Sequence, residues 1–196
     1  MLSALSACSS GTAQTTAPAT VEGGITTWTT HGSFTTPSPG RPLSSLLTYQ
    51  PDLVPVGAEV TMVLRRRGNS ASLTVTLGGA DPNRRYTAHV HTRTCGVDPN
   101  GSGPHYQDRK DEHQPSVDPA FANPANEVWL DLTTDLTGRG TTTVETAWFF
   151  REGEANSLVL HAGKTHTEHG IAGTAGARIA CVTEHFGSQL QQGNAP

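Results

Sequence analysis

Cysteine is scarce in this chain, with three in 196 residues, too few for a small scaffold held together by a disulfide framework. Charge is scarce too: Asp, Glu, Lys and Arg make up 15% of the residues and the net charge is −4. The longest basic run is Arg65-Arg66-Arg67, so the electrostatic footprint of a nucleic-acid binder is missing and no nucleic-acid partner is expected. No apolar stretch approaches the roughly 20 residues that a spanning helix needs. A sustained 3.6-residue apolar period is also missing, which excludes a helical bundle. What remains is the profile of a turn-rich β protein, with 21 Gly, 13 Pro and abundant Thr.

The N-terminal Leu5-Ser6-Ala7-Cys8 resembles a bacterial lipobox: an aliphatic residue, two small ones, and a cysteine that is lipidated to become the mature N-terminus. The run before it has no basic n-region and no complete h-region, so residues 1–8 read as a truncated signal and lipobox with Cys8 as the lipidation site. Residues 9–24 are rich in Thr, Ala and Pro and read as a flexible tether. Residues 25–187 form the folded domain, and residues 188–196 a disordered tail. This organisation implies an exported protein on the extracytoplasmic side of the cell membrane, touching the membrane by its lipid anchor only.

Within the domain, strand signals recur at short intervals. Ile25 to Thr30, Glu59 to Leu64 and Ser72 to Leu77 carry strand patterning, and Arg85 to His91 follows. Further strands are expected at Glu127 to Leu132, Thr141 to Phe150, Ser157 to His161 and Ala177 to Val182. Thr36 to Pro55 reads as a long loop. Residues from Gly96 to Asn126 and from Ala162 to Gly176 form two further loops rich in Gly and His, and loops that long in a compact domain are usually functional or disordered. The expected fold is all-β: an eight-stranded, Greek-key, antiparallel barrel or sandwich with two long functional loops. Nothing in the strand pattern marks a subunit interface.

Histidine is the residue in excess. Eight of the nine histidines lie at or after His89. In Ala88-His89-Val90-His91, the two-residue period of a strand puts both imidazoles on one face, within reach of one ion. Imidazole serves zinc, copper, iron and nickel alike, so the pair points to a metal without naming it.

Four places then line up: His89-Val90-His91 with Cys95 beyond it, Gly103-Pro104-His105-Tyr106, Leu158-Val159-Leu160-His161, and Gly173 to Cys181 with Arg178. In order and spacing they resemble the copper/zinc superoxide dismutase family. The resemblance implies that His89, His91, His105 and His161 are copper ligands, with His105 the ligand that bridges to zinc in zinc-containing members. It implies that Arg178 attracts the superoxide anion and that His105 supplies a proton. It also implies an intrasubunit disulfide between Cys95 and Cys181, which an exported location would favour. The expected reaction is copper-dependent dismutation of superoxide to O₂ and H₂O₂. The alternative is a copper-binding module of the same fold without significant turnover.

The chain departs from the family at zinc. His113, eight residues after His105, matches the next zinc ligand, but the segment from Pro119 to Asn126 offers neither of the others. A closed zinc site needs four protein ligands and two are present, so copper without zinc is the expectation. Asp111, Glu112 and Glu127 are then candidates for a carboxylate that orients the imidazole zinc would hold. His166 and His169 read as a solvated loop, and His31 and His185 as surface residues.

Overall fold

Val60, Met62 and Leu64 alternate with more exposed residues along Glu59–Arg67, as do Ala71, Leu73, Val75 and Leu77 along Ser70–Gly78. The two segments are therefore strands with one face turned to a core. Arg67 pairs with Ser70 across a two-residue turn, which sets the register of the whole hairpin.

The computed structural model describes residues 14–38, 40 and 42–188. Within them, ten strands form two five-stranded sheets. In chain order they are β1 (Thr15–Glu22), β2 (Ile25–Ser33), β3 (Leu46–Thr48), β4 (Glu59–Arg67) and β5 (Ser70–Gly78). They continue as β6 (Arg85–His91), β7 (Trp129–Thr133), β8 (Gly140–Thr146), β9 (Ser157–His161) and β10 (Arg178–Thr183). One sheet has the order β1-β2-β4-β5-β8 and the other β3-β10-β9-β6-β7. All pairings between these strands are antiparallel. From β7 the chain crosses to β8 in the opposite sheet and returns as β9 on the far side of β6. This long return beside an earlier strand is a Greek-key connection.

The facing sheets bury Trp28, Met62, Leu73 and Val75 from one side against Tyr86, Leu130, Leu158 and Leu160 from the other. The eight strands expected from the sequence are all present, and the fold is the all-β sandwich. The segment ending in Trp148-Phe149-Phe150 leaves the sheet after Thr146. Those three aromatic residues still fill one end of the same core, where Phe150 packs on Phe186 with ring centroids 5.1 Å apart.

Two strands depart from the sequence expectation. The tether reading of residues 9–24 fails from residue 15 onward, because β1 runs along the edge of β2. The Gly23-Gly24 turn, with both φ angles positive at 55° and 75°, brings Glu22 opposite Ile25. Such a two-residue turn matches the twist of a hairpin. Pro18, which cannot donate to a ladder, falls where the register shifts between Ala17 and Thr20, on an edge strand where it is tolerated. The second departure is β3, three residues long, too short to show a period inside a proline-rich loop. The lipobox with Cys8 and the tail from residue 189 lie outside the described residues.

Cys95 and Cys181 form a disulfide, with Cα atoms 5.8 Å apart and a sequence separation of 86. It joins the start of the first long loop to β10, beside Leu47 and Val159. A cross-link closing a loop of this size stabilises a domain by about 4 kcal/mol through the entropy of the unfolded chain. The Cys95→Ser/Cys181→Ser double variant should therefore lose stability on that order in urea unfolding. A change under about 1 kcal/mol would contradict the chain-entropy account.

Candidate metal centre

Strand β6 is buried on both faces, unlike β4 and β5. Tyr86, Ala88 and Val90 face the core, while Thr87, His89 and His91 face away from it, yet none of these six is more than 1% exposed. Their cover is the pair of long loops, residues 92–128 and 162–177, which fold over the outer face of the sheet. On β9 the register sets His161 opposite Thr87 and Val159 opposite His89, so His161 shares the outer face and lies diagonal to His89. Arg178 opens β10 directly opposite His161. His105 arrives from the first loop through an isolated bridge to His91. Three of the histidines thus sit on paired strands, and the fourth is laid over them.

One nitrogen from each of His89, His91, His105 and His161 lies within 4.8 Å of the others, the one such converging group among the described residues. The opposite nitrogens are occupied. His91 Nδ1 lies 2.9 Å from the carbonyl oxygen of Gly103, and His161 Nδ1 lies 3.3 Å from that of Gly176. His105 Nδ1 lies 2.8 Å from Glu127 Oε2, and His89 Nε2 lies 2.9 Å from Thr165 Oγ1. Carbonyls and carboxylates only accept, so those ring nitrogens carry the proton and the inner ones are lone pairs. Two of these inner atoms, His91 Nε2 and His161 Nε2, stand 3.4 Å apart. His89 Nδ1 is buried without a hydrogen-bond partner. Lone pairs aimed at one another, and an orphaned buried nitrogen among them, fit a metal ion with four imidazole ligands.

Electrostatics agree. Burial holds His89 and His91 well below the ordinary histidine range, and repulsion from the neighbouring imidazoles and Arg178 lowers them further. Burial first, then His105, pushes His161 down to about 3; the Gly176 carbonyl opposes them, and Arg178 adds a smaller lowering. These three rings are neutral near pH 7, the form in which imidazole binds a metal.

Glu127, 1% exposed, is the carboxylate that holds His105. Its Oε2 also accepts from Trp129 Nε1 at 2.8 Å and its Oε1 accepts from Gln107 Nε2 at 2.8 Å. Asp111 is occupied elsewhere in the loop, accepting from Ser116 Oγ and the His113 backbone amide, and Glu112 is exposed. Of the three carboxylates singled out in the sequence, Glu127 is the one at the site.

A cavity of about 200 Å³ opens above the histidines, lined by His105, His161, Arg178 and Glu127 and walled by Pro115 and Val117. Arg178 Nη1 donates to Ser102 Oγ at 2.7 Å and to the Pro99 carbonyl at 3.3 Å. This tethers the guanidinium to the short 3₁₀ turn Pro99–Ser102 that follows Cys95. Burial lowers its pKa, with Asp98 and Tyr49 opposing, and it remains a cation at any working pH.

The geometry of Gly103 is forced. It has φ +77°, and a Cβ there would stand 2.7 Å from Thr92 Oγ1. Only glycine accommodates that backbone without strain, and the backbone aims its carbonyl at His91.

His113 does not join the cluster: its side chain is 97% exposed, with Asp111 Oδ1 at 3.7 Å. His166 faces Glu168 at 3.4 Å near the surface, His31 contacts Thr61 and His185 contacts Asn156, both in exposed positions. The residues that sequence reasoning missed are Thr165, Gln107, Trp129 and Ser102. All but Trp129 lie in the two long loops, where no period marks a side chain's direction; Trp129 opens β7 two residues after Glu127, and the alternation expected there carries such a signal.

Among solved structures, the chain is similar to the Cu/Zn superoxide dismutase from Brucella abortus, at 21% identity and a TM-score of 0.48, covering 70% of this chain and 95% of that one. A likeness at that level says nothing of this chain's chemistry. No family model matches the chain, nor does any curated protein.

The depressed histidines make the metal-free protein sensitive to acid. As pH falls through the ordinary histidine value of 6.5, the unfolded chain takes up protons at positions that stay neutral in the folded state, down to about 3 for His161. Stability present above pH 6.5 is therefore lost below it, by about 1.4 kcal/mol per pH unit for each such histidine once the slope is fully developed. Urea midpoints of the metal-free protein should drop between pH 7.5 and pH 4.5, and less so in His161→Asn. Equal midpoints across that range would rule this out.

Proposed function

We propose that this chain is a copper-dependent superoxide dismutase acting outside the cytoplasm. The observation that carries the reading is the convergence of four imidazoles on one point, beneath a cavity that also holds the Arg178 guanidinium. The residues that would hold copper are His89, through Nδ1, and His91, His105 and His161, through Nε2. Copper supplies one-electron exchange between its two oxidation states, which imidazole ligands serve in both.

The overall reaction joins two superoxide anions and two protons to give O₂ and H₂O₂. Arg178 attracts and orients the anion. A local cation is required because the protein's net charge is −4, and its long-range field would otherwise repel the substrate. His105 Nε2 would hold a proton for the peroxide product, a role supported by the place of His105 in the cavity lining. The Nδ1–H bond to Glu127 keeps that ring in one tautomer and sets a carboxylate beside it when both nitrogens are protonated. Glu127 does for His105 what zinc would do in a zinc-containing site: it fixes the outer nitrogen. Pro115 and Val117 contribute to the wall of this small cavity.

Export and lipid anchoring belong to the same reading. The disulfide is compatible with an oxidising compartment, and a diacylglyceryl group on Cys8, read by mass spectrometry, is the expected anchor.

The decisive experiment loads the purified protein with copper and zinc together, measures both by elemental analysis, and assays superoxide decay on the same sample. One copper, no zinc and rapid decay is the expected result. Bound copper without activity would replace the enzyme with a copper-binding module. Arg178→Ala should keep the copper but lose at least about tenfold in rate and much of its salt dependence. His161→Ala should lose copper and activity together. An Arg178→Ala protein as active as the parent would remove the steering role.

A further inference from the structure

Gln107 is two residues past His105, in the first long loop, and is 3% exposed. A buried glutamine brings four hydrogen-bonding positions with it and must satisfy them internally. Here the partners determine its orientation. Glu127 Oε1 accepts, so the Gln107 nitrogen is the atom facing it, at 2.8 Å. On the other end, Gln107 Oε1 accepts from the Asp111 backbone N–H at 2.9 Å and from Gln114 Nε2 at 2.8 Å. The amide is locked, one end on the carboxylate and the other on the loop.

The carboxylate it grips is the one that holds His105. Glu127 receives three donors, from His105, Trp129 and Gln107, all charge-assisted and therefore among the stronger hydrogen bonds in the molecule. Trp129 and His105 both take Oε2, so Gln107 alone engages Oε1 among the hydrogen bonds described. Without Gln107, that oxygen would be buried with no donor and the carboxyl plane would be free to rotate away from His105 Nδ1. The far end of the amide reaches the segment that continues into Pro115, Ser116 and Val117, the wall of the cavity over the histidines. Gly173 packs on the same pair from the other loop, where an added Cβ would come to 3.6 Å from both Glu127 Oε2 and His105 Nδ1.

We propose that Gln107 is a positioning residue for His105. It aims the Glu127 carboxylate so that His105 presents Nε2 to the copper position, and it couples that aim to the cavity wall at residues 114–117. This rests on the copper reading above for its functional meaning, while the hydrogen-bond chain itself is independent of metal.

Two variants separate the donor role from the loop-anchoring role. Gln107→Glu keeps an oxygen that accepts from Asp111 and Gln114 but has no N–H₂ to give Glu127. Gln107→Leu removes both. In the metal-free, disulfide-bonded full chain labelled with ¹⁵N-histidine, the His105 Nδ1–H proton is read by NMR, assigned by its loss in His105→Ala. Both variants should exchange that proton with solvent faster by at least about tenfold, the consequence of losing a charge-assisted bond to its partner. The copper-loaded variants should also differ from the parent in reduction potential. Parental exchange and parental potential in Gln107→Glu would show that the residue merely anchors the loop, and would overturn the proposal. Should Gln107→Leu fail to fold, Gln107→Glu decides alone. A parent protein that binds no copper would defeat the copper reading, and the exchange rates in the metal-free chain would still decide whether Gln107 positions His105.

Discussion

Four imidazole lone pairs share one small volume, and the rest of the site follows from that. Left to themselves, the inner nitrogens of His91 and His161, 3.4 Å apart, would place a proton between them or turn away. Neither happens, because the outer nitrogen of each is already committed to a carbonyl acceptor. A hydrogen bond at one nitrogen of a neutral imidazole fixes the tautomer and leaves the other nitrogen as a ligand. Burial completes the arrangement by making the protonated rings costly. The protein therefore stores unfavourable contacts in its metal-free form that a cation would relieve.

The work of holding this arrangement is divided between the sheet and the loops. Paired strands carry His89, His91 and His161, whose separations are set by the register of β6 against β9 and do not depend on loop conformation. The loops carry His105 and all four partners of the outer nitrogens: the acceptors Gly103, Gly176 and Glu127, the last at the junction with β7, and the Thr165 hydroxyl. The cost of ordering loops this long is conformational entropy, and several features offset it. The disulfide ties the first loop to β10, Arg178 ties its 3₁₀ turn to the same strand, and Tyr49 donates to the Gly96 carbonyl at 2.8 Å.

The same division explains what could be read from sequence. His89 and His91 were legible because a strand's period is two, and the eight main strands because turns and alternation mark them. His105, His161 and Arg178 came from a resemblance to a family whose motif they match, and the fold then brings all of them to one end of the sheet. The acceptors were not legible. A backbone carbonyl leaves no trace in residue type, and Gly103 is one of many glycines in a loop. Gln107 and Thr165 owe their roles to loop paths that no periodicity announces. Glu127 was one of three carboxylates that spacing could not rank; burial and a 2.8 Å contact rank it. Strand β1 was missed because a Thr- and Pro-containing segment was weighed by composition, when the Gly-Gly pair at its end was the better signal.

On the proposed reading, a carboxylate beside His105 in place of a second metal would also change the charge that an incoming anion meets. A divalent cation would add positive charge next to the cavity and attract an anion at a distance. Glu127 adds negative charge in the same place, within a protein that is already net negative. Its burial and its three donors keep much of that charge from the opening, because oriented N–H dipoles surround the oxygens. On the proposed reading, attraction of an anion would then fall on Arg178 and on an ion held by the histidines. The guanidinium is fixed by Ser102 and two backbone carbonyls, an arrangement that suits such a role. A cation that supplies a local field gains from being held where its field is least screened, at the half-buried mouth of the cavity.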